Sequence, residues 1–112
     1  MPQGEADLDR LFQALSDPTR RAVVERLREG PAATSELARP FDMALPSFLQ
    51  HLDVLEKVGL VTSRKEGRVR IYQLTPTPLQ AAEDWLGEQR VMWERRLDQL
   101  DDFVRTLKEQ AP

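Results

Sequence analysis

The chain has 112 residues, 31% of them charged and 40% hydrophobic, with a net charge of −3. That fits one soluble globular domain with a core but little room for an elaborate active site. It contains no cysteine, which excludes disulfides, thiolate metal sites and thiol redox chemistry. No apolar run approaches a membrane span and the first residues lack the layout of a secretory signal, so the expected compartment is the cytoplasm.

Taken in order, residues 1–4 read as a tail. From Glu5 to Leu15, Leu8, Leu11, Phe12 and Leu15 recur at steps of three and four, which predicts a first helix with a strong apolar face. Ser16-Asp17-Pro18 interrupts it: Asp17 is a good N-cap and Pro18 a good first helical residue. The second helix should run to about Glu29, burying Val23, Val24 and Leu27, and end at Gly30-Pro31. Arg20 and Arg21 in its first turn are read as solvated or paired with the acids of the first helix. Thr34 is placed as the cap of a short third helix that buries Leu37 and Ala38 and stops before Pro40. Phe41 and Met43 should fill the space before the next helix.

That fourth helix begins near Pro46 and ends before Gly59, where a residue at positive φ is often needed. Phe48, Leu52 and Leu55 form its apolar stripe. Ser47, Gln50 and His51 offer a hydroxyl, an amide and an imidazole outside that stripe, and Ser and Gln are residue types that bind phosphates and read base edges. Leu60-Val61-Thr62 then opens a strand, Glu66-Gly67 makes a tight turn, and Arg68 to Leu74 returns. Arg64, Lys65, Arg68 and Arg70 cluster around the turn, while Tyr72 and Leu74 belong to the core side. Charge follows this layout. Residues 45–75 hold five basic and three acidic side chains, a net of +2, whereas 1–44 carries −2 and 76–112 carries −3.

After the connector Thr75-Pro76-Thr77-Pro78, the span 79–109 has no proline. Leu86, Trp93, Leu97, Leu100, Val104 and Leu107 follow one another at 7, 4, 3, 4 and 3 residues, a heptad-like seam. Such a seam needs a cover, and the expected cover is a second copy of the chain. The alternative is that this helix folds back on its own domain.

The expected fold is therefore mainly α with a small β-hairpin, a winged helix-turn-helix in the order ααααββα, paired through the first and last helices. It is read as one domain over 1–112, with a DNA-binding core and wing at 5–75 and a long dimerisation helix at 78–109. The candidate DNA contacts are Ser47, Gln50, His51, Lys65, Arg68 and Arg70. The candidate dimer contacts are Leu8, Leu11, Phe12, Leu86, Trp93, Leu97, Leu100 and Val104.

The segments ALSDPTRRAVVERL, SELA, QHLDVLEKVGLV and KEGRVRIYQL, within about residues 6–75, together resemble the ArsR/SmtB-like family of winged helix-turn-helix repressors. The resemblance implies a homodimeric transcription regulator that binds double-stranded DNA at a two-fold symmetric operator and represses by occluding the promoter. Two departures stand out. Where relatives often carry polar residues, this chain has Ala44, Leu45 and Leu49, so no operator sequence carries over. The ligands through which many relatives hold a metal are also missing, since there is no cysteine and His51 is the one histidine. Neither a metal nor another cofactor is expected, and the inducer is left unassigned. The competing reading is a winged-helix protein-interaction module without specific DNA binding, against which the basic turn argues. Catalysis is not expected: Ser47 and His51 lie one turn apart, but Asp53 is on another face and supplies no third member.

Overall fold

The computed structural model describes residues 3–111. Eight elements follow one another: α1 (Gln3–Leu15), α2 (Pro18–Leu27), β1 (Ala32–Ala33), α3 (Thr34–Ala38), α4 (Leu45–Lys57), β2 (Val61–Glu66), β3 (Val69–Leu74) and α5 (Thr77–Gln110). The expected order holds, with one added strand. Of the expected tail, Met1 and Pro2 lie outside the described residues, while Gln3 and Gly4 already belong to α1.

The strands form one antiparallel sheet in the order β1-β3-β2. Pairing β1 with β3 sets Ala32 opposite Tyr72 and Ala33 opposite Ile71. Two alanines carry no β-pattern of their own, so only the tertiary partner makes them a strand. This strand also corrects the expected cap of α3. Ala33 takes the N-cap position and offers no side-chain acceptor. Thr34 is already helical, and its hydroxyl donates to the Arg70 carbonyl at 3.4 Å instead.

The chain divides into two compact units, one ending at Ala82 and one beginning at Glu83. The first has a continuous core in which Phe48, Leu52, Leu55 and Leu60 are completely buried, joined by Leu11, Val23, Leu37, Val61 and Tyr72. Within α4 the buried positions are the ones its helical period selects. Ala82 is buried and Leu79 packs against the core. The first turns of α5 therefore belong to the winged unit, and the division falls inside the helix rather than at the Pro76–Pro78 connector. The second unit is helical to Gln110, and its 28 helical residues span about 42 Å at 1.5 Å per residue.

Two junctions fix α4. At its C-terminal end Gly59 adopts φ 82°. The Leu60 N–H donates to the Leu55 carbonyl at 3.1 Å and the Gly59 N–H to the Glu56 carbonyl at 3.0 Å. This is a Schellman closure with its usual apolar contact, here between two fully buried leucines. At its start, Ala44 supplies no side-chain cap. Pro46 lies in the first turn, where its missing N–H leaves no intrahelical bond unmade, and Phe48 stacks on Phe41 with ring centroids 5.4 Å apart.

Candidate nucleic-acid interface

The corner between α1 and α2 anchors the fourth helix. Asp17 caps α2, its Oδ2 accepting from the Arg20 N–H at 3.1 Å. Arg20 and Arg21 do not seek the acids of α1 as expected. They bind the last carbonyls of α1, which a helix end leaves without partners and which carry the negative end of its dipole. Arg20 Nε donates to the Ala14 carbonyl at 2.6 Å and its Nη2 to the Gln13 carbonyl at 3.1 Å, while Arg21 Nη1 reaches the Leu15 carbonyl at 2.7 Å.

Arg20 also reaches across to α4, with Nη1 lying 3.1 Å from His51 Nδ1. Arg20 can only donate, and the part the ring nitrogen plays follows the imidazole's tautomer. Asp17 Oδ2 approaches the same nitrogen at 3.7 Å. The acid beside His51 is thus Asp17, from another helix, and not Asp53. Partial burial pushes the Asp17 carboxyl up, but the Arg20 N–H and the fields of His51 and Arg20 outweigh it and hold the group below its ordinary value. The His51 side chain is only 22% exposed. His51 therefore braces α4 against the α1–α2 corner, with about a fifth of its side chain left exposed.

On its outer side α4 exposes Leu45, Ser47, Leu49, Gln50 and Asp53. Asp53 is engaged with Lys57 at 2.9 Å, and this hydrogen bond raises the lysine above its ordinary value. Ser47 and Gln50 stand in the first half of the helix, clear of that pair.

The hairpin turn is one residue later than expected. Glu66 pairs with Val69, so the loop is Gly67-Arg68. Gly67 has φ 63° and Arg68 does not have a positive φ, the pattern of a type II′ turn with glycine at its first central position. The register then sorts the four cations, because paired residues share a face of the sheet. Lys65 is opposite Arg70 and Ser63 opposite Tyr72. Tyr72 is buried, and the Ser63 hydroxyl donates to both Glu56 carboxylate oxygens of α4 at 3.2 Å. Lys65 and Arg70 therefore lie on the face turned to α4. Arg70 Nη1 donates to the Ser63 hydroxyl at 2.9 Å, which completes a relay tying the hairpin to α4. Burial pushes the Tyr72 phenol up, and the Glu56 charge adds to it.

Arg64 is on the opposite face, bonded to Glu66 at 2.8 Å and Gln73 at 3.4 Å. Lys65 and Arg68 have no ion pair or side-chain hydrogen bond among the described residues. They are the hairpin's uncommitted charges. Sequence pattern marked these cations but gave no sign of β1, the Glu56–Ser63–Arg70 relay or the arginine caps of α1. Only the last had a signal, two arginines just past a helix end.

The expected pairing residues divide. Leu11 is 2% exposed and lies in the core, so its surface is spent within the chain and it leaves the set. Leu8 packs against the core, and Phe12 is exposed. Leu86, Trp93, Leu97, Leu100 and Val104 are all exposed, Trp93 by 63%. Among the described residues no helix is long and apolar enough to cross a membrane.

Comparison with known proteins gives the same architecture. A helix-turn-helix domain family matches residues 15–64. The HTH-type transcriptional regulator Rv2034 of Mycobacterium tuberculosis is 53% identical over 73 residues, 65% of this chain and 68% of that protein. The transcriptional repressor SdpR of Bacillus subtilis is 30% identical over 79 residues, 70% of this chain and 88% of that one. The crystal structure of an ArsR family transcriptional regulator, RHA00566, superposes with a TM-score of 0.78 at 53% identity and covers 80% of this chain and 93% of its own. A winged helix-turn-helix with a closed recognition helix and a basic hairpin, matched at this identity and coverage, leaves one assignment: the chain belongs to the ArsR/SmtB family of transcriptional regulators.

Proposed function

We propose that two copies of this chain bind double-stranded DNA at a two-fold symmetric operator and repress transcription by occluding the promoter. The observation that supports this is an exposed polar α4 joined by side-chain bonds to a hairpin with uncommitted cations. α4 exposes Ser47 and Gln50 in its first half, and the hairpin, tied to α4 through Glu56 and Ser63, presents Lys65 and Arg70 on its α4-facing side, with Arg68 at its tip. Each α4 enters a major groove, where Gln50 reads a base edge and Ser47 holds a phosphate or base. The hairpin sets Lys65 and Arg68 on the backbone, and Arg70, braced by Ser63, lies beside them. His51 keeps α4 at its angle through Arg20.

The pairing surface is the exposed seam of Leu86, Trp93, Leu97, Leu100 and Val104, with Leu8 and Phe12 of α1. It holds two recognition helices at half-sites about 34 Å apart or a multiple of that. A regulator that meets chromosomal DNA in a bacterium works in the cytoplasm.

The test is binding to duplexes selected from a random pool, measured across a salt series. Specific binding should weaken steeply as salt rises, because each neutralised phosphate releases a counterion. Replacing Gln50 with Ala should change the preference among selected sequences, and equal losses on all of them would remove Gln50 from base reading. Failure to select any sequence would overturn the proposal in favour of a protein-interaction module.

A further inference from the structure

The recognition helix carries apolar side chains that its own fold does not use. Leu45 is 53% exposed and Leu49 40%. Neither belongs to the core cluster nor to the partly buried residues packed against it, whereas Phe41 and Met43 before them and Val54 and Val58 farther along do. The two leucines are four residues apart, so they adjoin on one flank of α4. Glu56 lies seven residues past Leu49, on the same flank, and accepts the Ser63 hydroxyl of β2. The leucine pair is therefore on the side of α4 turned to the hairpin. On the helix surface Asp53, paired with Lys57, follows Leu49 by one turn, and Gln50 stands about 100° around the helix from Leu49 on the exposed side.

We infer that Leu45 and Leu49 read thymine C5-methyl groups in the major groove. This rests on the DNA-binding reading above and deepens it by naming what the operator must contain. The surroundings decide the occupant. An exposed apolar pair on the hairpin side of a helix that also exposes Gln50 lies inside the nucleic-acid footprint proposed above, and the one apolar group that a base pair presents in the major groove is the methyl of thymine. The adjoining Gln50 suits adenine, whose N6 and N7 a glutamine side chain binds as a pair. Together they specify an A·T-containing step beneath the first half of α4, with the methyls on the hairpin side of the amide contact.

Uracil in place of thymine tests this, since it deletes the methyl and keeps every hydrogen-bonding group. A selected duplex is resynthesised with deoxyuridine at one thymine at a time, and affinity is measured for the full-length protein, for Leu45→Ala and for Leu49→Ala. At one or two positions per half-site the native protein should lose about fourfold, the conversion of ~0.8 kcal/mol for one buried methyl. The loss should vanish in the matching leucine variant. Both leucines are on the surface, so circular dichroism should show both variants folded. Affinity indifferent to every thymine methyl, or a methyl effect that persists unchanged in both variants, overturns the inference and leaves DNA binding standing. Failure to bind any duplex specifically overturns both.

Discussion

The unit that ends at Ala82 and the helix that continues from Glu83 treat their apolar side chains in opposite ways. In the first, Phe48, Leu52, Leu55 and Leu60 are closed off completely by elements from one chain. In the second, Leu86, Met92, Trp93, Leu97, Leu100 and Phe103 are all exposed, and among the described residues no hydrophobic side chain from Glu83 onward belongs to the buried core. The seam even skips a slot, since the heptad position between Leu86 and Trp93 holds Arg90, 4.0 Å from Glu94. The lesson is that hydrophobic periodicity reports only that a face must be covered. Long-range pairing within the chain decides whether the cover is intramolecular.

The largest break in that contrast should come from Phe48→Ala. Truncating a fully buried phenylalanine costs about 3–5 kcal/mol, a large share of the ~5–15 kcal/mol that holds a domain folded. Thermal melting should fall steeply, and the fall should not depend on protein concentration. Trp93→Glu combined with Leu97→Glu should act through the partner. Sedimentation should show a single chain with an intact winged core, and operator affinity should drop about 100-fold or more as the second half-site ceases to be held nearby. A dimer surviving both charges would place the pairing surface elsewhere.

Much of this division was legible in the sequence. The stripe of Phe48, Leu52 and Leu55, the stop at Gly59 and the cap at Asp17 are local signals with local causes, and each appears where expected. What escaped was set by contacts across the chain. Ala32 and Ala33 become a strand because β3 lies beside them. That strand moves the start of α3, and the Thr34 hydroxyl donates to the Arg70 carbonyl instead of capping the helix. The hairpin turn slipped by a residue because a Gly at the first loop position suits type II′, which makes Arg68 the tip rather than a strand residue. His51 is grouped with Ser47 because its spacing sets it one turn away. Its neighbours within the chain are 31 and 34 positions away, at Arg20 and Asp17. A side chain whose type suits binding also braces the fold, through neighbours that no periodicity reveals.

A smaller effect should confirm that the corner, and not the seam, sets the winged unit's own stability. Asp17→Ala should cost about 1 kcal/mol through the missing cap. Because the folded-state carboxyl is held low, its contribution is present above the ordinary value of about 3.9 and is lost as pH falls through the folded value. The gap in melting temperature between native protein and variant should be widest near neutrality and close at strongly acid pH. The pairing-deficient Trp93→Glu, Leu97→Glu background should show the same gap.

The smallest change, and the most diagnostic, concerns the hairpin. Arg68→Ala should weaken binding to every duplex by similar, modest factors and reduce the salt slope by about 0.9 for each phosphate that is no longer neutralised. The dimer gives up two such phosphates and the pairing-deficient background only one, so the change in slope should halve. Arg64→Ala, on the opposite face and bonded to Glu66 and Gln73, should leave the slope where it was. If the two substitutions altered the slope equally, charge alone would be acting and the face on which each side chain stands would not matter. If Arg68→Ala altered it by the same amount in both backgrounds, the winged unit would not be binding once per copy, and the separation of reading from pairing along this chain would fail.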